Sequence, residues 1–314
     1  MILVFGSFNA DYVWRTARLP APGETLIGSF SAVPGGKGFN QAMAAHRLGA
    51  PVQFVCGLGT DGGAVMARAA FAAEGLPCHV FDCDAPTGTA SVVVDRTGRN
   101  QIVVAPGANL GVRPAHLAEL ADSLARSRVV LCQLESDPAS VMALLQRARA
   151  AGALAMLNPA PAPTAEMDLR SLLESCDLLT PNESEFQQLL ALQVGIAVPD
   201  TLAELPDAEL HALCRQLGVP TVIITLGAAG AFWSSGAGFG RVASLSVDAI
   251  DTTGAGDCFN GALATSLLAF PQRDLPTHLR FACAAAALST EQAGAALAMP
   301  RRTALEARWP QAWV

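Results

Sequence analysis

The spacing of apolar and polar residues divides the chain into short strands and amphipathic helices. Ile2–Phe5 is an unbroken apolar run and predicts a short buried strand. Residues 25–33 alternate weakly and predict a second, more exposed strand. Over residues 36–48 the spacing becomes helical, with Phe39, Ala42, Met43 and His46 on related faces. A strand at 52–56 and a helix at 64–74 follow. Residues 89–95 and 101–105 flank Arg96-Thr97-Gly98-Arg99, which is a hairpin signal.

From residue 129 the pattern becomes regular. Apolar runs at 129–133, 153–157, 178–180 and 221–225 interleave with helical spacing at 139–151 and 183–191. Such alternation predicts a mainly parallel sheet covered by helices. The early exposed strands and the hairpin do not fit that scheme. They are expected to form a small separate sheet, a lid over a site or a dimer contact. No internal repeat or long linker interrupts the pattern, and residues 1–314 read as one domain.

Composition supports this picture and removes some classes of function. Of 314 residues, 51% are hydrophobic and 15% charged, enough to fill a sizeable core, so disorder is not expected. The net charge is −7 and the 20 Lys and Arg are scattered, so no basic face for nucleic acid is expected. No two of the eight cysteines have C-x-x-C spacing, which argues against a structural zinc site. Several lie in apolar runs, such as Cys132, and read as reduced, buried thiols of a cytoplasmic enzyme. The chain opens directly on an apolar strand, which reads as no signal peptide, and no apolar run is long enough to span a bilayer.

Four segments carry candidate chemistry. In Asp251-Thr252-Thr253-Gly254-Ala255-Gly256-Asp257, two glycines let the backbone approach a ligand, and helical periodicity begins at Asp257. Amides of Gly254, Ala255 and Gly256 would then point out of a helix N-terminus, where they suit a phosphate or a charged transition state. The Asp257 carboxylate could accept a proton from an attacking hydroxyl, or could simply cap the helix. Pro34-Gly35-Gly36-Lys37-Gly38-Phe39-Asn40 is a second Gly-rich helix entry, either a ligand site using Asn40 or a plain turn. Asn9 and Asp11 follow the first strand, where they suit sugar hydroxyls or form an Asx turn. Asn182 and Glu185 stand between a strand and a helix; they could organise water and Mg²⁺ or form a capping box.

One further segment points elsewhere. Gly57-Leu58-Gly59-Thr60-Asp61-Gly62 matches G-x-G-x-x-G after a strand, with Asp82 about twenty residues on, the outline of an NAD(P)-binding oxidoreductase. It leaves the segment around Asp257 unexplained.

Taken in order, the segments resemble the ribokinase-like (PfkB) sugar kinases almost end to end. The matches run through Gly35-Gly36-Lys37-Gly38-Phe39-Asn40-Gln41-Ala42, Pro106-Gly107-Ala108-Asn109, Gln133-Leu134-Glu135-Ser136 and Leu157-Asn158-Pro159-Ala160-Pro161-Ala162. They continue through Thr180-Pro181-Asn182-Glu183, Ile224-Thr225-Leu226-Gly227 and residues 251–261. The resemblance implies a three-layer α/β/α fold with a mostly parallel central sheet. It also implies a small β-sheet lid, about residues 11–33 and 89–105, that builds a homodimer. It further implies an ATP-dependent kinase acting on the primary hydroxyl of a pentose, D-ribose fitting best, with another sugar or a nucleoside as alternatives. On the resemblance, Asn9, Asp11, Gly36, Lys37, Asn40 and Glu135 would hold the sugar. Asp257 would be the base, and Gly254, Ala255 and Gly256 the anion hole. Asn182, Glu185, Thr225 and Gly227, with Gly256, would meet the nucleotide and Mg²⁺. Asp251, Thr253, Ser289, Gln292 and Gly294 resemble loops that hold an activating K⁺. A sugar-binding sensor on an inactive kinase scaffold is the remaining alternative. The intact Asp257 and its glycines argue against it.

Overall fold

The computed structural model describes residues 1–199 and 201–310. The single-unit reading of 1–314 therefore includes Asp200 and residues 311–314, which lie outside the described residues. The first part of the chain forms β1 (Ile2–Phe5), β2 (Asn9–Arg15), β3 (Ser29–Gly35) and helix α1 (Lys37–Arg47). It continues with β4 (Val52–Leu58), α2 (Gly62–Glu74), β5 (Cys78–Asp82), β6 (Thr89–Val94) and β7 (Asn100–Ala105). The middle part holds α3 (Ala121–Ala125), β8 (Val129–Cys132), α4 (Pro138–Ala150), β9 (Leu154–Leu157) and α5 (Leu169–Glu174). Then come β10 (Leu178–Leu179), α6 (Glu183–Val194), α7 (Asp207–Gln216) and β11 (Thr221–Thr225). The chain closes with β12 (Ala231–Ser235), β13 (Gly238–Val242), α8 (Ala255–Ala269), α9 (Leu275–Ser289) and α10 (Arg302–Arg308).

Nine strands form the central sheet in the order β13-β12-β11-β10-β9-β8-β1-β4-β5. Every pairing from β5 across to β11 is parallel. The last two strands are antiparallel, which the strand–helix alternation did not predict. Their connections are too short for a helical crossover, so the chain can only turn back on itself. Neither these two strands nor β5 and β2 were expected from the sequence. β5 is short and polar-flanked, and β2 is half-buried with Asn9 and Asp11 in its first positions. The exposed strand expected at 25–33 is β3, shifted to Ser29–Gly35.

The segments that did not fit the parallel scheme make a separate four-stranded sheet, β3-β2-β6-β7. Its hairpin β6–β7 is closed by Asp95, whose carboxylate accepts from Thr97 and Arg99.

Apolar residues fill both faces of the central sheet. One face packs Phe39, Met43 and Ala44 of α1 and Phe71 of α2 against Phe259, Leu263, Leu279 and Phe281 of α8 and α9. The opposite face packs Leu144 of α4, Leu172 of α5, Phe186 of α6 and Leu210 of α7 onto alternate strand residues such as Val130 and Ile224. The inner parallel strands are therefore apolar on both sides, which is why these runs are unbroken rather than alternating.

Candidate active site

Polar residues gather where the parallel strands end at their carboxyl edge, the usual ligand-binding side of an open α/β sheet. β1 runs into Ser7, β8 into Gln133 and Glu135, β9 into Asn158, β10 into Thr180 and Asn182, and β11 ends at Thr225. Lys37, Thr180, Asn182, Glu185, Gly254 and Asp257 line part of a cleft of about 190 Å³ at this edge.

Asp257 lies in the first turn of α8 and is buried. The N-cap of that helix is Gly254, so Asp257 does not cap it. Its carboxylate instead turns to α1. Asn40 Nδ2 donates to Oδ2 and Gln41 Nε2 to Oδ1, both at 2.9 Å. Burial pushes the Asp257 carboxyl upward in pKa, while Lys37 and the two amide donors pull it down. Lys37 is itself opposed by burial, but Asp257, Glu135 and Glu185 outweigh that and its ammonium ends above its ordinary value. One cation thus sits among three carboxylates.

The Gly-rich entry to α1 is built by close backbone approach. A Cβ on Gly38 would lie 2.5 Å from the Gly6 carbonyl carbon and the Ser7 nitrogen. The Phe39 amide donates to the Ser7 carbonyl at 2.9 Å, and Glu135 Oε2 accepts from the Lys37 amide at 3.0 Å and from the Ser7 hydroxyl. The Glu135 carboxylate therefore covers the positive end of α1, where a negative group is favoured. Asp11 faces Gly35 and lies near Glu135; burial first, then that second carboxylate, raise its pKa to about 7. Asn9 is the first residue of β2 rather than part of an Asx turn, and its Oδ1 accepts from Asn109 Nδ2 at 2.8 Å. Among the described residues its own Nδ2 has no hydrogen-bond acceptor.

At the head of α8, Gly254 has φ +76, a conformation that favours glycine. The Ala255 amide donates to the Thr252 carbonyl at 3.2 Å, which ties it into the turn. From Gly254 to Asp257, the amides with no protein acceptor among the described residues are those of Gly254, Gly256 and Asp257. Asn182 and Glu185 form a capping box at α6, with Asn182 Oδ1 accepting from the Glu185 amide and Glu185 Oε2 from the Asn182 amide. That leaves Glu185 Oε1 for the cleft. Burial raises the Glu185 pKa, against the Asn182 amide and Lys37. Among the described residues, no three His, Cys, Asp or Glu side chains are grouped to hold a metal by themselves. Such a site fits Mg²⁺ carried on a nucleotide's phosphates better than a protein-bound ion. Thr225 lines the same cleft and forms a bridge with Asn182, and Gly227 opens the following turn.

Asp251 joins two loops, its Oδ1 accepting from the Thr253 amide and its Oδ2 from the Gly294 amide, both at 2.9 Å. Asp251, Thr253 and Gly294 are thus brought together. Ser289 turns its hydroxyl back to the Ala286 carbonyl, and the Gln292 amide donates to the Ser289 carbonyl at 3.3 Å.

The G-x-G-x-x-G segment does lie in a β4-α2-β5 unit, but it has no room for a dinucleotide. A Cβ on Gly57 would meet the Ala108 carbonyl at 2.3 Å, and one on Gly59 the Ala85 carbonyl at 2.7 Å. Asp61 caps α2 and accepts from the Thr87 amide, so the 83–112 segment covers the loop. Asp82 pairs with Arg68 at the surface.

Several residues that shape the site carry no signal as single positions. Gln41, Gln133, Asn158 and Asn260 are buried polar residues linked to one another or to Asp257's turn. A polar residue inside an apolar run was the available sign.

The chain matches the model of the pfkB family of carbohydrate kinases over residues 1–302. It is 38% identical to a ribokinase of Haemophilus influenzae over 304 residues, covering 96% of this chain and 95% of that protein. It is 36% identical to a ribokinase of Mus musculus, covering 95% and 91%. Among solved structures, Arabidopsis thaliana ribokinase complexed with ribose and ATP superposes with a TM-score of 0.85 at 29% identity, over 97% of this chain and 96% of that one.

Proposed function

Because the chain belongs to the pfkB family of carbohydrate kinases, we propose that it transfers the γ-phosphoryl group of ATP to the primary hydroxyl of D-ribose, giving D-ribose 5-phosphate. The observation that carries the chemistry is the Asp257 carboxylate, held by two amide donors beside the open amides of the α8 N-terminus. Asp257 accepts the proton of the attacking hydroxyl. The amides of Gly256 and Asp257, with Gly254 shaping the turn, receive charge on the transferred phosphoryl group. Mg²⁺ bound with the nucleotide would neutralise the phosphates, Glu185 Oε1 facing its water shell and Thr225 and Gly227 bordering the nucleotide.

Sugar hydroxyls are assigned to Asn9, Asp11, Lys37, Asn40 and Glu135, with Gly36 giving close backbone approach. Asn40 Oδ1 and Asn9 Nδ2 support this, since one is a buried acceptor without a partner and the other a donor with no acceptor among the described residues. K⁺ would sit between the loops joined by Asp251, with Thr253, Ser289, Gln292 and Gly294 nearby. The residues form one domain, and the four-stranded sheet serves as its lid and as a homodimer contact. Exposed Trp14, Phe30 and Val103 on that sheet support the contact. The protein is cytoplasmic, and among the described residues no helix is long and apolar enough to cross a membrane.

The test is coupled ADP release over pentoses, hexoses, nucleosides and fructose 6-phosphate, with and without K⁺. Ribose-dependent ADP release is expected. Turnover with another sugar alone would keep the chemistry and change the substrate, and silence across the panel would overturn the proposal.

A further inference from the structure

We infer that Gln41 is a positioning residue for Asp257, holding its carboxylate through a directional chain of buried side-chain amides, Gln133–Gln41–Asn158. The inference rests on Asp257 acting as the base proposed above.

The direction of the chain is set by one main-chain oxygen. The Thr180 carbonyl can only accept, so Asn158 must present Nδ2 to it, at 2.8 Å. Asn158 Oδ1 then faces Gln41, and an oxygen there requires the Gln41 nitrogen, at 3.0 Å. The second hydrogen of that nitrogen reaches Asp257 Oδ1 at 2.9 Å. Gln41 Oε1 is left to face Gln133, whose Nε2 donates to it at 2.6 Å. Each amide orientation follows from the one before it, so Gln41 cannot flip and turn an oxygen toward Asp257 without breaking the chain.

The arrangement has a cost that core filling does not explain. Gln41 and Gln133 are fully buried, and Gln133 Oε1 ends the chain with no partner. It is wedged against Gly6, where a Cβ would lie 1.9 Å away. Apolar residues of the same shape would avoid that loss. What the chain delivers is one N–H aimed at Asp257. Gln41 is not among the residues lining the cleft, so its route to the reaction runs through Asp257. With Asn40 on the other oxygen, consecutive residues of α1 straddle the carboxylate and fix its plane. The charged groups facing Asp257 are Lys37, Glu135 and Glu185. Of these only Lys37 favours its ionised form, so the amide donors carry part of that task.

The experiment measures kcat, KM for ribose and the pH profile of kcat in wild type, Gln41→Met, Gln133→Leu and Asp257→Asn. Gln41→Met is expected to lower kcat on the order of tenfold to a hundredfold, with KM within about twofold, and to move the acidic limb up by about one pH unit. Gln133→Leu touches neither Asp257 nor the cleft and removes the orphaned oxygen. It should stay folded and move kcat and the limb in the same direction by a smaller amount, about threefold in kcat. An unchanged kcat and limb in both glutamine variants overturns the inference. If Gln41→Met does not fold, Gln133→Leu decides alone, and an unmoved limb there overturns it. Wild-type turnover by Asp257→Asn would instead remove the base assignment on which the inference stands.

Discussion

Asn40 Nδ2 reaches Asp257 Oδ2 at 2.9 Å across 217 positions of sequence, binding the first Gly-rich segment to the last. The two segments form a single constellation in which the start of α1 holds the group at the start of α8.

Asp257→Ala should leave sugar affinity within about twofold and lower kcat on the order of a hundredfold or more, the usual size of a general-base contribution. Single-turnover kinetics with calorimetric ribose titration separate the two effects. Wild-type turnover in a folded variant would sink the assignment.

Lys37→Met removes the one cation among Asp257, Glu135 and Glu185. Without it the Asp257 carboxyl should rise further, because burial and Glu135 already act in that direction. The acidic limb of the rate profile is therefore expected at higher pH, with sugar KM raised on the order of tenfold. A limb that moves down would contradict the charge arrangement.

Asp11 should make stability fall as pH rises. Its folded pKa is about 7 against an ordinary 3.8. Below about pH 4 both states are protonated and the group contributes nothing; between the two values the unfolded chain ionises first; above 7 the penalty is constant. Asp11→Asn should thus be more stable than wild type at about pH 8 by ~1–2 kcal/mol, allowing for partial exposure, and equal to it near pH 3.5. Urea unfolding at the two pH values reads this, and a variant less stable at the higher pH would refute it.

Gly38→Ala places a Cβ against backbone on both sides of the Gly6–Ser7 peptide, which cannot yield as a flexible side chain would. A loss of ~2–4 kcal/mol in stability is expected. Denaturant midpoints check it, and a neutral substitution would mean that α1 does not seat on Ser7.

Asp251→Ala frees the Thr253 and Gly294 amides and removes the side-chain link between the loops before α8 and after α9, leaving the Ile250 and Asp251 amides on the Thr290 carbonyl. Any K⁺ stimulation of ADP release should be lost, while K⁺-independent turnover falls less than about threefold. Retained stimulation would place the cation elsewhere.

The parallel strands other than β5 were legible because a strand buried on both faces is an apolar run of fixed length, and α1, α2, α4, α6 and α8 were legible from their helical spacing. β12 and β13 escaped because each is interrupted by Gly, Ser or Arg, and an antiparallel return leaves no helical spacing between strands. The Gly-rich segments were legible as places of close approach, but their partners were not. Ser7, Gln41 and Asn158 meet only through β1, α1 and β9, which lie far apart in sequence. Asn182 and Glu185 show the limit of motif reading, since the capping box and a cleft-facing oxygen coexist in the same pair. The dinucleotide pattern around Gly57 shows it too, because what disqualifies the loop is the 83–112 segment lying over it.

The two faces of the central sheet are assembled from different parts of the chain. The face over α4 to α7 draws its helices from a continuous middle stretch, whereas the other joins α1 and α2 to α8 and α9. On the ribosome, the middle face can close once β11 and β12 have emerged. Phe39, Met43 and Phe71 must wait for the last quarter of the chain before they are covered. Until then the nascent protein carries an uncovered apolar face at its N-terminal end, which makes that interval the point of greatest exposure to aggregation and of greatest use for a chaperone.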